Sequence, residues 1–324
     1  MNQRKFIIIG AAIMDILARP VDASVFTSGS LPAGAIAMHT GGDAMNEARV
    51  LADLGADVRL VSKVGMDPAG DLVLSACRDL HIDTRYIRRD PEIPTGVNIV
   101  LVDHQGERSF ITCPDSTLRK FYPEDVPEDA LEGGDILCFA SIFVSPHFGN
   151  RELAGLFSRV RAAGLTVCAD MTKRKKGETI RDMRESLSFL DYVFPNYEEA
   201  ALLTGEKDPE RIGDAFLSCG VKHVVIKSGA KGCYVCTEGK RFWSPACGHA
   251  RCLDTTGAGD TFTGCFLYAL GQGFSLPDCA RFANAGASLC IEKTGAAGAG
   301  KDLQEIIKRA GLCNRSAPSY PIYF

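Results

Sequence analysis

The chain has no long run of one charge, no apolar stretch of membrane-spanning length, no regular cysteine framework and no zinc-type spacing among its histidines. A formal net charge of −4 over 324 residues excludes the electrostatic footprint of a nucleic-acid or anionic-membrane binder. The basic triplet Arg174–Lys176 is too short to change that. Residues 6–18 (FIIIGAAIMDILA) are interrupted by Asp15 and followed by no small-residue cleavage site. They fall short of the ~20 apolar residues a span requires, so a buried first strand explains them better than a leader or anchor. Thirteen cysteines, an odd number with scattered spacing, suit reduced thiols and a cytoplasmic location. The one CxxC, Cys233 to Cys236, lies in a strand-like run. Positions i and i+3 of a strand point to opposite faces, so the pair cannot share a metal or close a disulfide. Six histidines without HxH or HExxH offer no zinc site.

Two nucleotide-site patterns are also missing. Gly10-Ala-Ala-Ile-Met-Asp15 lacks the GxGxxG that a dinucleotide fold places after its first strand. Gly295 to Lys301 spells the start of a P-loop, but Asp302 stands where Ser or Thr must bind magnesium. Too little chain follows to build a P-loop NTPase around it.

What is present is ample apolar material: 46% hydrophobic residues against 23% charged, with a mean hydropathy of +0.01. Short β-rich runs at 6–9, 58–61, 136–139, 166–169, 192–194 and 224–227 alternate with amphipathic stretches at 44–54, 71–80, 151–163, 198–203 and 209–219. This alternation predicts an α/β chain, a mostly parallel sheet with helices on both faces. With no repeat and no low-complexity linker, residues 1–324 read as one domain. Segments 12–40 and 94–113 break the pattern with period-2 strands and a turn near Gly106. They predict a small β-sheet lid over the strand ends, where α/β folds bind ligands.

The chemistry sits in two glycine-rich segments. Asp254-Thr-Thr-Gly-Ala-Gly-Asp260 precedes a helix-like run to Leu270. Small residues before a helix expose unpaired N–H groups which, with the helix dipole, make an anion site. Asp260 at the helix start is placed to take a proton from an attacking hydroxyl, with its ionised form favoured by the dipole; it would equally serve as a helix cap. Thr40-Gly-Gly-Asp-Ala-Met-Asn46-Glu-Ala supplies the other half. Gly41 and Gly42 permit close backbone approach, and Asn46 can donate to and accept from a vicinal diol. Asp15, after the first strand, offers a carboxylate to two hydroxyls.

Together these segments resemble the two signature motifs of the ribokinase, or PfkB, family of carbohydrate kinases. The first fits from Gly41 through Asn46, Ala48 and Gly55 to Gly65. The second fits from Asp254 through Gly257-Ala-Gly-Asp260 to Gly264, departing at Cys265, where Ala or Gly is usual. The resemblance extends to about residue 300 and, in its GGDAxNEA form, is similar to uncharacterised bacterial sugar kinases. It implies a ribokinase-like three-layer fold and an ATP-dependent phosphotransferase acting on a sugar or sugar acid. Asp260 would be the base, with the amides of Gly257, Ala258 and Gly259 as anion hole. Asp15, Gly41, Gly42 and Asn46 would hold the sugar, and Arg108 is a candidate for a sugar-acid carboxylate. Asn196 and Glu199 match the NxxE that organises magnesium and phosphates. Lys227, Gly229 and Gly232 resemble an ATP loop, Asn284 an adenine-pocket position, and Arg174 a phosphate contact. Asp254, the Thr256 carbonyl and the loop of Gly295 would hold a potassium-like ion.

The partners implied are a small sugar and ATP, with the lid also offering a homodimer surface. A non-catalytic sugar- or nucleotide-responsive protein on the same fold is the rival reading. It would be expected to lose Asp260, the anion-hole residues or the NxxE pair, all of which are present. The acceptor stays open among ketose, aldose, sugar acid, phosphosugar and nucleoside, with Asp43, Asn98, Arg108 and Phe110 positioned to shape the pocket.

Overall fold

A computed structural model describes residues 4–248, 250–293 and 302–312. Thirteen strands run among them: β1 Lys5–Gly10, β2 Ile13–Arg19, β3 Ala35–Gly41, β4 Asp57–Gly65, β5 Ile87–Asp90, β6 Val97–Val102, β7 Arg108–Thr112, β8 Ile136–Ile142, β9 Thr166–Met171, β10 Tyr192–Phe194, β11 His223–Lys227, β12 Cys233–Thr237 and β13 Arg241–Ser244. The helices are α1 Val25–Ser28, α2 Asp43–Asp53, α3 Pro68–Asp79, α4 Asn150–Ala162, α5 Arg184–Leu187, α6 Tyr197–Thr204, α7 Pro209–Ser218, α8 Ala258–Gly271, α9 Leu276–Cys290 and α10 Leu303–Arg309.

Nine strands form the larger sheet, ordered β13-β12-β11-β10-β9-β8-β1-β4-β5. It is parallel from β5 to β11 and antiparallel at its β12 and β13 edge. Strand alternation explains the helices on both faces. Phe6 and Ile8 of β1 enter one core with Phe262 and Phe266 of α8, whereas Ile7 and Ile9 enter the other with Leu153 and Phe157 of α4. Each buried Ile or Phe contributes ~1.5–3 kcal/mol, so β1 is held from both sides. The same alternation puts Cys233 in the first core and Cys236 in the second, both as free thiols.

The smaller sheet has the order β3-β2-β6-β7, with β6 and β7 joined through a turn at Gly106 (φ +87°). Its strands fall in the two segments that broke the α/β pattern, with β3 running one residue past the first, to Gly41. The short helix α1 and the edge strand β5 were not expected; each is four residues long, too short for a periodic signal. Register sorts this sheet's faces: Asp15 lies opposite Asn98, and Val100 opposite Phe110, on the face that also carries Arg108. On the other face Ile16 lies opposite both Met38 and Ile99, and Ile99 opposite Ile111. Among the described residues no helix is long and apolar enough to cross a membrane.

Candidate active site

Helix α8 opens on Gly257, whose φ of +71° is left-handed, and no side chain caps it. Of the three amides expected to form an anion hole, that of Ala258 donates to the Thr255 carbonyl at 3.2 Å. Asp260 sits in the first turn. Its carboxyl is pushed up to about 8, first by burial and next by the charge of Asp43, against the pull of a hydrogen bond from Asn46. The expectation that the helix dipole keeps Asp260 ionised is therefore corrected: desolvation and neighbouring carboxylates outweigh a dipole effect of ~0.3–1 kcal/mol.

A cavity of about 340 Å³ opens in front of this turn, lined by Asp43, Asp170, Glu199 and Asp260, with Lys227 as the one cation among the described residues lining it. Lys227 Nζ donates to both oxygens of Asp170, at 2.9 and 2.6 Å. Asp170 also accepts from Thr263 Oγ1 at 2.8 Å. Burial opposes the lysine's charge, but Asp170 and Glu199 hold its pKa above the ordinary value. A Cβ placed on Gly259 would lie 3.5 Å from Lys227 Nζ, so the ammonium sits beside the start of α8. Asp43 accepts from Ser141 Oγ.

Asn196 and Glu199 form a capping box at α6: Asn196 Oδ1 accepts from the Glu199 amide at 2.8 Å, and Glu199 Oε2 from the Asn196 amide at 2.9 Å. Burial pushes the Glu199 carboxyl up to about 7. Gly229 and Gly232 line the cavity's other wall with Asn284. Gly232 has φ +90°, and a Cβ there would come within 2.1 Å of the Ser244 carbonyl. Asn284 Nδ2 donates to that same carbonyl at 3.1 Å, tying α9 to β13. No group of three or more His, Cys, Asp or Glu among the described residues could by itself hold a metal. An excess of carboxylates around one lysine does fit magnesium that keeps waters and is shared with phosphates.

The two motifs meet where Asn46 Nδ2 donates to Asp260 Oδ2 at 2.7 Å. Nearby, Asn98 Nδ2 donates to Asp15 Oδ1 at 3.0 Å. Gly41 passes so close that a Cβ would lie 2.0 Å from Asp15 Oδ2, and one on Gly42 (φ +91°) would lie 2.5 Å from the Ala11 carbonyl. Asn46 Oδ1 and Asn98 Oδ1 are buried without partners. Unsatisfied buried acceptors are costly, and these two match the hydroxyls of a polyol.

Three expected contacts are placed differently. Arg108 does not stand open to a carboxylate ligand, because its Nη2 donates to Asp254 Oδ1. The Asp254 oxygen also accepts from the Thr256 amide at 2.8 Å and the Thr256 hydroxyl at 2.6 Å. The Thr256 carbonyl accepts from the Cys290 thiol at 3.3 Å. Of the oxygens expected to face a monovalent ion, Asp254 Oδ1 and the Thr256 carbonyl each accept hydrogen bonds; Gly295, with the 294–301 glycine loop, lies outside the described residues. Arg174 turns back on its own loop, donating to the carbonyls of Gly177 and Glu178.

Sequence reading missed Asp170, Thr263 and Glu47. Asp170 follows the apolar run Val167–Ala169 in β9, a detectable signal, but its pairing with Lys227 joins residues 57 positions apart. Glu47 is fully buried, with the Cys138 thiol beside its carboxyl.

Comparison with known proteins follows the same lines. The profile of the pfkB family carbohydrate kinases matches residues 3–302. A ribokinase of Arabidopsis thaliana is 33% identical over 282 residues, covering 83% of this chain and 71% of that one. A 2-dehydro-3-deoxygluconokinase of Bacillus subtilis is 28% identical over 261 residues, 77% of this chain and 80% of that one. The structure of Arabidopsis ribokinase complexed with ribose and ATP superposes with a TM-score of 0.81 at 28% identity, over 96% of this chain and 99% of that one. A putative ribokinase II from E. coli, in complex with ATP and magnesium, gives 0.80 at 25% identity, over 95% and 99%.

Proposed function

The chain belongs to the pfkB family of carbohydrate kinases, and from that premise we propose how its residues transfer the γ-phosphoryl group of ATP to a hydroxyl of a small sugar or sugar acid. The observation that carries the reading is the Asn46–Asp260 hydrogen bond, which puts the sugar-type motif and the anion-type motif in one site.

Asp15, Asn98 and Asn46 bind the sugar hydroxyls, and Gly41 and Gly42 let the backbone reach them. Asp260 takes the proton of the attacking hydroxyl as its oxygen bonds to phosphorus and the bond from phosphorus to the ADP oxygen breaks. The start of α8 and Lys227 face the charge spread over the transferring group. Gly229, Gly232 and Asn284 wall the nucleotide side. Glu199 and Asn196 would hold magnesium through water, and that ion, when bound, offsets the phosphate charge. The smaller sheet acts as a lid whose Asp15 face closes on the sugar and excludes water, which would otherwise compete as acceptor.

The outer face of the lid aligns Met38, Ile16, Ile99 and Ile111 across all four strands, with Met38 54% and Ile111 51% exposed. A second copy of the chain covers this apolar ladder, making the enzyme a dimer.

The test is ATP turnover with magnesium over a panel of monosaccharides and sugar acids. Turnover with one acceptor class and little ATP hydrolysis without it is expected. Nucleotide binding with no turnover on any acceptor would favour the non-catalytic reading.

A further inference from the structure

We infer that the Arg108 guanidinium fills the role a monovalent cation would take at the loop opening α8, so that the smaller sheet, rather than an ion, sets that loop. The inference rests on the kinase reading of the site.

Among the described residues, two local ties hold the loop. The amides of Leu253 and Asp254 donate to the Ile291 carbonyl at 2.7 and 3.2 Å, and Thr256 bonds Asp254 Oδ1 through its amide and hydroxyl. Neither tie brings positive charge. Arg108 does, from 146 residues away in sequence. Its side chain is 24% exposed and that of Asp254 8%, so the pair is shielded enough to act as a fixed contact. A guanidinium stays charged at any working pH. The Thr256 carbonyl, a second oxygen suited to an ion, already accepts from Cys290.

The consequence lies in where Arg108 comes from. It is the first residue of β7, on the face that carries Phe110 and Thr112, and Thr112 lies opposite Asn98. Asn98 bonds Asp15. The contact to the sugar and the charge that holds Asp254 therefore ride on one sheet. When the sheet is seated on the sugar, Arg108 fixes Asp254, and the backbone from Thr255 to Gly259 is held for the phosphoryl group. When the sheet is away, the Arg108 charge leaves Asp254 with it. Arg108 is thus a positioning residue that links acceptor binding to readiness for transfer.

The experiment compares turnover of the full-length wild type, R108A and R108K in potassium chloride and in tetramethylammonium chloride at matched ionic strength. Wild type is expected to run at equal rates in the two salts. R108A should lose about tenfold or more in kcat, the scale of one lost electrostatic contact, with the KM for ATP little changed. Potassium should restore part of that loss, a rescue that a merely structural defect would not show, and R108K should keep most of the activity. Wild type stimulated severalfold by potassium, or R108A with undiminished kcat, would overturn the inference. Where R108A does not fold, rubidium-soaked crystals of the wild type decide: anomalous density at Asp254 overturns it, and none there beside the Arg108–Asp254 pair upholds it. Absence of turnover on every acceptor would instead sink the kinase reading, and the rubidium result would still stand by itself.

Discussion

Asn46 Nδ2 and Asp260 Oδ2 lie 2.7 Å apart across 214 residues of sequence, and the hydrogen bond favours the ionised form of a carboxyl that burial pushes up to about 8. Asp260 accepts a proton only when ionised. The kcat/KM profile should therefore fall as pH drops through about 8. Asn46→Ala removes a donor to the carboxylate and should move that limb to higher pH, besides weakening sugar binding. Asp260→Asn should lose ~10²–10⁴ in kcat while keeping the fold and nucleotide affinity. Near-normal turnover in that variant would remove Asp260 from the mechanism.

Gly41→Ala should behave like Asp15→Ala. A methyl at 41 would meet Asp15 Oδ2 at 2.0 Å and push the carboxylate off its Asn98 partner. Leaving polar groups unpaired in a closed pocket costs ~1–3 kcal/mol, so the sugar KM should rise ~5- to 150-fold in both variants. The KM for ATP should hold. Sugar affinity unchanged in both would place the acceptor elsewhere.

Lys227→Met strands Asp170 as an uncompensated charge. Breaking a buried pair from one side costs ~3–5 kcal/mol, to be read as a lowered denaturation midpoint. The double variant Lys227→Met with Asp170→Asn should recover much of that stability and little of the turnover. Recovery of both together would make the pair purely structural.

Glu47 carries a carboxyl raised well above its ordinary value, first by burial and then by Asp170 and Asp260. A raised folded-state pKa gives stability that is complete below the unfolded value near 4.5 and lost as pH climbs through the folded one. Glu47→Gln should match wild type in Tm at pH 4 and exceed it by a margin that widens as pH rises above 4.5. Parallel Tm curves over that range would show that folding does not raise the Glu47 pKa.

Replacing Ile99 and Ile111 by lysine puts two charges in the middle of the lid's outer ladder. Light scattering should show the proposed dimer shifting to monomer with little loss of Tm. Persistence of the dimer would locate the interface on another face.

Much of this was legible in the chain because it is local. The run Phe6–Ile9 announces a strand buried on both faces, and each glycine motif announces a close backbone approach. Helix α2 starts at Asp43, as the glycine pair before it leads one to expect, because Gly42 with its positive φ stops any helix before it. Contacts between distant segments were not legible. Asn196 and Glu199 were read for magnesium, yet the same spacing satisfies a helix end, and one oxygen of each is spent there. Arg108 and Arg174 are candidates for ligand contact by sequence, with an exposed hairpin position the plainer reading of Arg108. Nothing in their neighbours says that one would meet Asp254 and the other its own loop's carbonyls, since a long flexible side chain takes its partner from the tertiary surroundings. Asp170 and Lys227 likewise become a pair only once β9 and β11 flank β10.

The strand order also dictates how a growing chain can assemble. All four strands of the smaller sheet lie between Ile13 and Thr112, so it can pair as soon as those residues have left the ribosome. Strand β1 is born first, but one of its neighbours, β8, ends only at Ile142. Until then the apolar edge at Phe6–Ile9 stands open on that side, the kind of edge that recruits stray strands. A nascent chain stalled between Thr112 and Ile136 would hold all four strands of the smaller sheet beside an unfinished larger one.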